Sequence, residues 1–224
     1  EVIKNKGSNY LFKQSLKTFK IIPGSPIAYF ASDKIKKLFN NKKIGDIAST
    51  RLGMATADND QFLRIWYEVS FDQFNQKSSS REEANKSMKK WFPYQKGGKY
   101  RKWGGNKEYV VNWENDGKKI QEFKDPKTGK IRSHNYNLDY IFKKGVTWNA
   151  LSSGKTSARL SEYSIFDNAG SSLFPSRNIS SECIMAFINS KVMFKIFPLI
   201  SPSLNYQPGE IAKLPGKFDD FLQK

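Results

Sequence analysis

The sequence contains one cysteine and one histidine in 224 residues. A single cysteine excludes an internal disulfide and a cysteine-cluster zinc site. With a single histidine beside it, the usual zinc-hydrolase and Cys/His nucleophile arrangements cannot be built from this chain alone. No apolar run approaches about eighteen residues, the length at which a helix can cross a membrane, and no signal peptide is visible. No Gly-rich loop follows a strand-like segment and opens a helix, so neither a dinucleotide nor a methyl-donor site is supported. Acidic residues are scarce: 21 Asp and Glu against 38 Lys and Arg leave a net charge of +17.

That excess of one sign points to a polyanionic partner. Aromatic residues make up 14% of the chain, which a disordered basic tail would lack, so the composition is that of a basic globular protein. A chain of this mass can bury about 70% of its extended surface, enough for a core without a disulfide or metal staple. No repeat or long linker divides it, and residues 1–224 are expected to form a single domain. The chain opens on Glu1 in mid-pattern. We expect a piece of a longer protein, with function divided between this piece and the rest.

The coarse element pattern mixes helices and strands. Ser25-Pro26 is a helix start, with Ile27, Phe30, Ile35, Leu38 and Phe39 on the apolar stripe and Asn40-Asn41 as the end. Ile44 to Ala48 reads as a short strand or turn. Phe62 to Val69 alternates as a strand, and neither face is simply polar, so cover on both sides is expected. Residues 78–90 read as a capped surface helix, Glu108 to Trp113 as a strand, and Val146–Leu151 and Ile165–Phe166 as short strands. Arg177 to Phe197 is the strongest helix, carrying Cys183 as a core thiol. The expected class is α+β, a mixed sheet with bracing helices.

Between Lys96 and Lys107, five cations and two aromatics fall in twelve residues without an acid. Lys99, Arg101 and Lys102 suit phosphate neutralisation or, for Arg101, bidentate reading of a guanine edge. Trp103 can stack, wedge or support the loop, and Asn106 can hydrogen-bond a base. The alternative is a solvated basic tip with Trp103 turned inward. A second group, Ser152, Ser153, Lys155, Thr156 and Arg159, places small hydroxyls beside cations, as phosphate contacts require. Gly154-Lys155-Thr156 is not a P-loop, because position 149 is Asn where that motif needs Gly. In a third segment, Thr56, Asn59 and Arg64 can reach DNA, while Asp58 and Asp60 can equally cap the backbone.

For catalysis the chain offers little. An adenine methyltransferase needs an Asn/Asp-Pro-Pro-aromatic loop to hold its flipped base, and no Pro-Pro occurs. Asp116, Glu122 and Lys124 are the residue types of a metal-dependent nuclease, on a stretch that also reads as an ordinary charged hairpin. His134 lies in a polar loop with no evident partner.

Several stretches together carry a resemblance: Leu52-Gly53-Met54-Ala55-Thr56-Ala57-Asp58-Asn59-Asp60-Gln61-Phe62-Leu63-Arg64, Trp91-Phe92-Pro93-Tyr94 through Asn106, and Tyr109 to Gly117. Gly145-Val146-Thr147-Trp148 with Ser152-Ser153, Phe166-Asp167 to Phe174-Pro175, and Leu204 to Ile211 before Leu214-Pro215 continue it. Over about Pro23 to Pro215 the chain resembles the C-terminal target-recognition part of large bacterial adenine-specific DNA methyltransferases, of BREX phage-defence systems and single-chain type II restriction-modification enzymes. The Gly-x-x-Thr loop and the final helix-to-Pro pattern are shared more loosely with type I specificity subunits. Ala57 departs from the pattern, where such loops often carry Gly.

The resemblance implies a mixed α and β recognition domain that binds double-stranded DNA in the cytoplasm. The parent's upstream methyltransferase part would hold S-adenosylmethionine and flip the adenine. This chain would carry no catalytic, metal or cofactor residue of its own. Partners would be duplex DNA, that missing part, and other defence proteins. Arg101, Lys102 and Asn106 are expected at the groove, and Lys99, Lys155 and Arg159 nearer phosphates. The rival readings are a nuclease using Asp116, Glu122 and Lys124, and a module binding nucleic acid without sequence choice.

Overall fold

Eight short strands follow one another along the chain: β1 (Ala48–Arg51), β2 (Leu63–Ile65), β3 (Trp91–Gln95), β4 (Tyr109–Asn112), β5 (Gly145–Trp148), β6 (Ala158–Ser161), β7 (Ile165–Phe166) and β8 (Ser172–Pro175). They form two four-stranded sheets in a computed structural model that describes residues 15–24, 26–29, 31–151, 157–176, 178–201, 203 and 205–218. One sheet runs β1-β8-β5-β6 and is antiparallel throughout. The other runs β2-β4-β3-β7, with β7 parallel to β3. The fold is α+β, as expected from the sequence, and neither sheet closes into a barrel.

Local chemistry explains the strands. Gly145-Val146-Thr147-Trp148 is buried at every position, the pattern of a strand covered on both faces. Pro93 sits in the middle of β3, where a missing N–H would normally break a ladder. It is tolerated because β7 pairs only with Tyr94 and Gln95, so no neighbour asks Pro93 for a bond on that side.

The helices are short: α1 (Leu16–Phe19), α2 (Asp33–Leu38), α3 (Ile44–Ile47), α4 (Asn59–Phe62), α5 (Arg81–Lys86), α6 (Glu114–Gln121), α7 (Ser181–Ile188), α8 (Lys191–Ile200) and α9 (Pro208–Ala212). Side-chain caps fix many of their starts. Ser32, Asp58, Ser80, Ser180 and Ser190 each accept a first-turn N–H, which satisfies an orphan donor. Helix α7 packs on β6, β5 and β8, and α9 packs on α3 and β1.

Two apolar clusters result. Val146, Trp148, Leu173, Ile184, Met193 and Phe197 belong to the first, under α7 and α8. Phe62, Phe92, Tyr94, Trp113, Phe142 and Phe166 belong to the second. Burying each such side chain contributes about 1.5–3 kcal/mol, which these short elements need, since none is long enough to persist alone.

Four sequence expectations are corrected. The helix expected from Ser25-Pro26 begins at Asp33, where Ser32 supplies the cap. Ile44–Ile47 is a helical turn, closed by the Lys43 N–H donating to Asp46 (2.7 Å), and the strand starts only at Ala48. The strand expected over Phe62–Val69 shrinks to Leu63–Ile65, because Asp58 caps a turn before it and Glu68 accepts the Ile65 N–H (2.8 Å) after it. The long helix from Arg177 to Phe197 is two helices bent by 73°. Asn189 breaks it: its amide exchanges two 2.9 Å hydrogen bonds with the Ala158 backbone, and Ser190 starts a new helix. Among the described residues no single helix is long and apolar enough to cross a membrane.

Candidate nucleic-acid interface

The basic segment is the long connection between β3 and β4, and it leaves its own sheet to dock on the other. Gly97 makes this possible. Its φ is +79°, and a Cβ there would lie 2.8 Å from the Ala169 carbonyl oxygen, so only glycine fits. The Gly98 carbonyl then accepts from Asn149 (2.7 Å), and the Lys99 carbonyl accepts from Asn106 (3.0 Å). Farther along, the Trp103 N–H donates to the Ala158 carbonyl (3.0 Å), and the Leu160 N–H donates to Trp103 (3.1 Å). The segment thereby extends the cover of the outer edge of β6 from Ala158, which Asn189 also holds, to Leu160.

Beneath it lies Arg159, fully buried. It donates to Asn149 Oδ1 (2.8 Å), to the Arg101 carbonyl (3.2 Å) and to both oxygens of Ser157. Burial, reinforced by the nearby Arg101 charge, pushes its pKa down to about 10. It is an internal brace, and the phosphate role expected of it is not available in this arrangement. Lys102 is similarly engaged: its ammonium donates to the Asn189 carbonyl (2.8 Å) and lies 5.3 Å from the Phe194 ring centre. Asn106 is buried with its amide turned to Lys99. Thr56 is buried too, and donates to Asn59 Oδ1 (2.9 Å), closing the loop around Ala57. Ala57 has φ +62°, the left-handed region that glycine enters more easily than alanine.

What remains outward is Lys99, Tyr100, Arg101, Trp103 and Lys107. Trp103 is 53% exposed rather than turned into the core. Arg101 pairs with Glu108 at 2.6 Å with both side chains about half exposed, an ion pair worth only about 0–1 kcal/mol and easily exchanged. Arg64 is exposed, donates to the Asp60 and Leu63 carbonyls (both 2.6 Å) and faces the Trp91 ring. Two adjoining grooves bring the first and third candidate segments together. One is lined by Asn59, Arg64, Ile65, Lys96 and Tyr109, with Asp60 and Glu68 at its wall. The other is lined by Ile65, Tyr67, Lys99, Arg101 and Tyr109, with Glu108 beside Arg101. Tyr109 and Ile65 are common to both, and Lys96 sits 5.2 Å over the Tyr109 ring. Ser152, Ser153, Lys155 and Thr156 lie outside the described residues.

The aromatic half of this face was not visible in the sequence. The alternation over Phe62–Val69 predicts a strand covered on both sides, yet Trp66 and Tyr67 stand 52% and 67% exposed on a 3₁₀ turn. Their neighbour Glu68 was the available signal, since an acid three residues after Ile65 can close such a turn.

Of the candidate nuclease residues, Asp116 is committed to structural contacts. Asp116 accepts from Arg81 Nε (3.0 Å) and from Trp113 Nε1 (3.2 Å), and its second oxygen accepts a further Arg81 N–H. That bond is the leading cause of the raised Arg81 pKa. Asp116 is thus a structural tie between α5 and α6. Among the described residues no three His, Cys, Asp or Glu side chains gather as a metal site. His134 is exposed and stacked on Tyr136. Cys183 is half-buried on α7 rather than a core thiol.

Below the face, Tyr94 and Asp167 join β3 to the turn after β7. The Tyr94 hydroxyl donates to Asp167 Oδ2 (2.6 Å), and the Ala169 N–H donates to Oδ1 (2.7 Å). Burial raises the Asp167 pKa, and burial together with the Asp167 charge holds Tyr94 far above its ordinary value of 10. The unfolded chain therefore releases the Tyr94 proton first. Its stabilising contribution is complete below pH 10 and is lost as pH climbs beyond it. Tyr94→Phe is expected to lower stability by about 1–3 kcal/mol at neutral pH. Urea titrations of both proteins from pH 8 to 11 should show their difference shrinking above pH 10.

Comparison with known proteins agrees with the resemblance read from the sequence. Over 217 residues, 95% of its length, the chain is 41% identical to the adenine-specific methyltransferase PglX of Lacticaseibacillus casei (strain Zhang). Over 209 residues, 91% of its length, it is 37% identical to the adenine-specific methyltransferase BrxX of Escherichia coli O9:H4 (strain HS). The chain is homologous to a segment of adenine-specific methyltransferases. It spans 18% of PglX and 16% of BrxX. No family model matches it.

Proposed function

We propose that this chain is a target-recognition region of a BREX-type adenine-N6 DNA methyltransferase, acting in the cytoplasm. It grips double-stranded DNA while the rest of the parent protein holds S-adenosylmethionine and modifies the adenine. The observation that carries the reading is the joining of Arg64, Lys96, Lys99 and Arg101 with Tyr67 and Tyr109 around two contiguous grooves. Lysines there neutralise phosphates and supply affinity, while Arg101 exchanges Glu108 for a guanine edge and supplies choice.

Fluorescence anisotropy with labelled duplexes, including a pool selected for tight binding, tests this. Lys99→Ala is expected to weaken every duplex alike and to reduce the slope of log affinity against log salt by about 1. Arg101→Ala is expected to cost about 1–3 kcal/mol on the selected site and to relax one base position. Equal losses on selected and random duplexes for both variants would mean that the face binds without reading.

A further inference from the structure

Among the described residues, Glu108 is the one acid lining the groove that holds Lys99 and Arg101. A surface that only grips phosphates gains nothing from a carboxylate, which repels them. Its place in the fold is nevertheless well defined. The Trp66 N–H donates to the Glu108 carbonyl (2.9 Å), one residue before β4 begins. The Arg101 carbonyl is held by Arg159 (3.2 Å). A Cβ on Gly105 would lie 2.8 Å from Arg101 Cδ, so the arginine stem runs against the Gly105 backbone. Two opposite charges thus project from anchored main chain. They meet at 2.6 Å through one guanidinium nitrogen and one carboxylate oxygen. No other hydrogen bond or ion pair engages either head among the described residues, and both are about half exposed.

When Arg101 turns to a guanine, this carboxylate is left facing the edge of a base pair. A carboxylate accepts hydrogen bonds and donates none. In the major groove guanine meets it with two acceptors, N7 and O6, and thymine with an acceptor and a methyl group. Adenine offers an amine flanked by the N7 acceptor. Cytosine alone offers an amine, N4, with no acceptor beside it on the same base. Guanine O6 and cytosine N4 are hydrogen-bonded to each other, so they lie about 2.9 Å apart. The heads of Arg101 and Glu108 already stand as near to one another. We propose that Glu108 accepts from cytosine N4 in the same base pair whose guanine Arg101 reads. The two side chains together select G·C in one orientation, and the carboxylate rejects other bases by repulsion. The inference rests on the duplex reading by Arg101 and adds a second specificity-determining residue to it.

The test uses the 224-residue chain, a duplex selected for tight binding, and the base pair that Arg101→Ala relaxes, which is expected to be G·C. In one duplex the cytosine of that pair becomes pyrimidin-2-one, which lacks only the 4-amino group. In another the guanine becomes 7-deazaguanine, which lacks N7. The native chain is expected to lose about tenfold in affinity for either. Glu108→Ala removes a half-exposed ion pair that contributes little to stability, so the variant stays folded. It should lose its sensitivity to the missing amine and keep its sensitivity to the missing N7. It should also bind random duplexes about twofold more tightly, because a charge that repels phosphate is gone. A Glu108→Ala chain that loses the N7 preference as well would make Glu108 a support for Arg101. One that gains equally on every duplex would make it a counter-ion. Either result overturns the inference and leaves duplex reading by Arg101 in place. A native chain indifferent to both base changes would overturn the inference together with the reading it rests on.

Discussion

Replacing Arg159 by alanine is expected to lower the unfolding free energy of the chain by about 3–5 kcal/mol, measured by urea denaturation at neutral pH. The side chain is fully buried and among the largest so placed. Its removal opens a cavity and leaves Asn149 Oδ1 and the Arg101 carbonyl without their donor. Each abandoned buried acceptor costs about 1–3 kcal/mol, and the cavity adds to that. Against this stands the relief of an awkward charge: among the described residues the guanidinium has no ion-pair partner within 4.0 Å, and its Nε has no hydrogen-bond partner. Arg159→Met separates the contributions, because it keeps most of the volume and drops both the charge and the hydrogen bonds. If the bonds dominate, methionine should be nearly as damaging as alanine; if volume dominates, it should recover about half of the loss. Amide exchange gives an independent reading. The Trp103 and Leu160 N–H groups, which tie the basic segment to β6, should lose protection in both variants. DNA affinity should fall with them, although Arg159 touches no DNA in the proposed mode.

That result bears on how a basic residue is read from sequence. Arg159 and Lys102 belong to charge-rich stretches, and charge-rich stretches usually meet solvent. Here one is buried and the other half-buried, and each holds main-chain carbonyls. Composition counts them with Lys99 and Lys107, and only the tertiary pairing of the segment with β6 separates braces from contacts. The net charge and the exposed cationic cluster were legible, because they depend on composition and on a dense local run of residues. The division of labour within the cluster was not, because it depends on Asn149, Ala158 and Asn189, which lie about 40 to 90 positions away from it in sequence.

The fold shows the same boundary. The α+β class, the strand at Ile165–Phe166 and the surface helix after Ser80 follow from local pattern and caps. The break between α7 and α8 does not, because Asn189 ends α7 by bonding to a strand backbone. The exposure of Trp66 and Tyr67 escapes for a related reason. Alternating apolar residues signal a strand only if the chain stays extended, and two carboxylates, Asp58 and Glu68, curl it at both ends. Both misses fall beside the proposed interface, where the backbone must bend to present side chains.

A second large loss is expected at Gly53, where alanine should cost about 3 kcal/mol or more, read from the shift of the urea midpoint at unchanged m-value. The backbone angle is not the obstacle; space is. A Cβ at this position would lie 2.2 Å from the Phe166 carbonyl oxygen and 2.5 Å from that of Asp167. Both are main-chain atoms and cannot rotate away. Nor can the loop retreat. On one side Met54 donates to Phe166 (3.0 Å) and accepts from Asn168 (2.9 Å). On the other, Ala55 and His134 exchange two backbone bonds of 2.8 and 2.9 Å. Relief of the clash must therefore break one of these pairs or push the turn after β7, where Asp167 holds Tyr94. Gly104→Ala is the control, since a Cβ there meets nothing within 4 Å; its stability should be nearly unchanged. The functional consequence follows from geometry. The strand that supplies Arg64 begins ten residues after Gly53, and the Gly97 turn rests on Ala169. A displaced Gly53 loop should thus disturb both grooves together, and Gly53→Ala should lose DNA affinity even at temperatures where it remains folded.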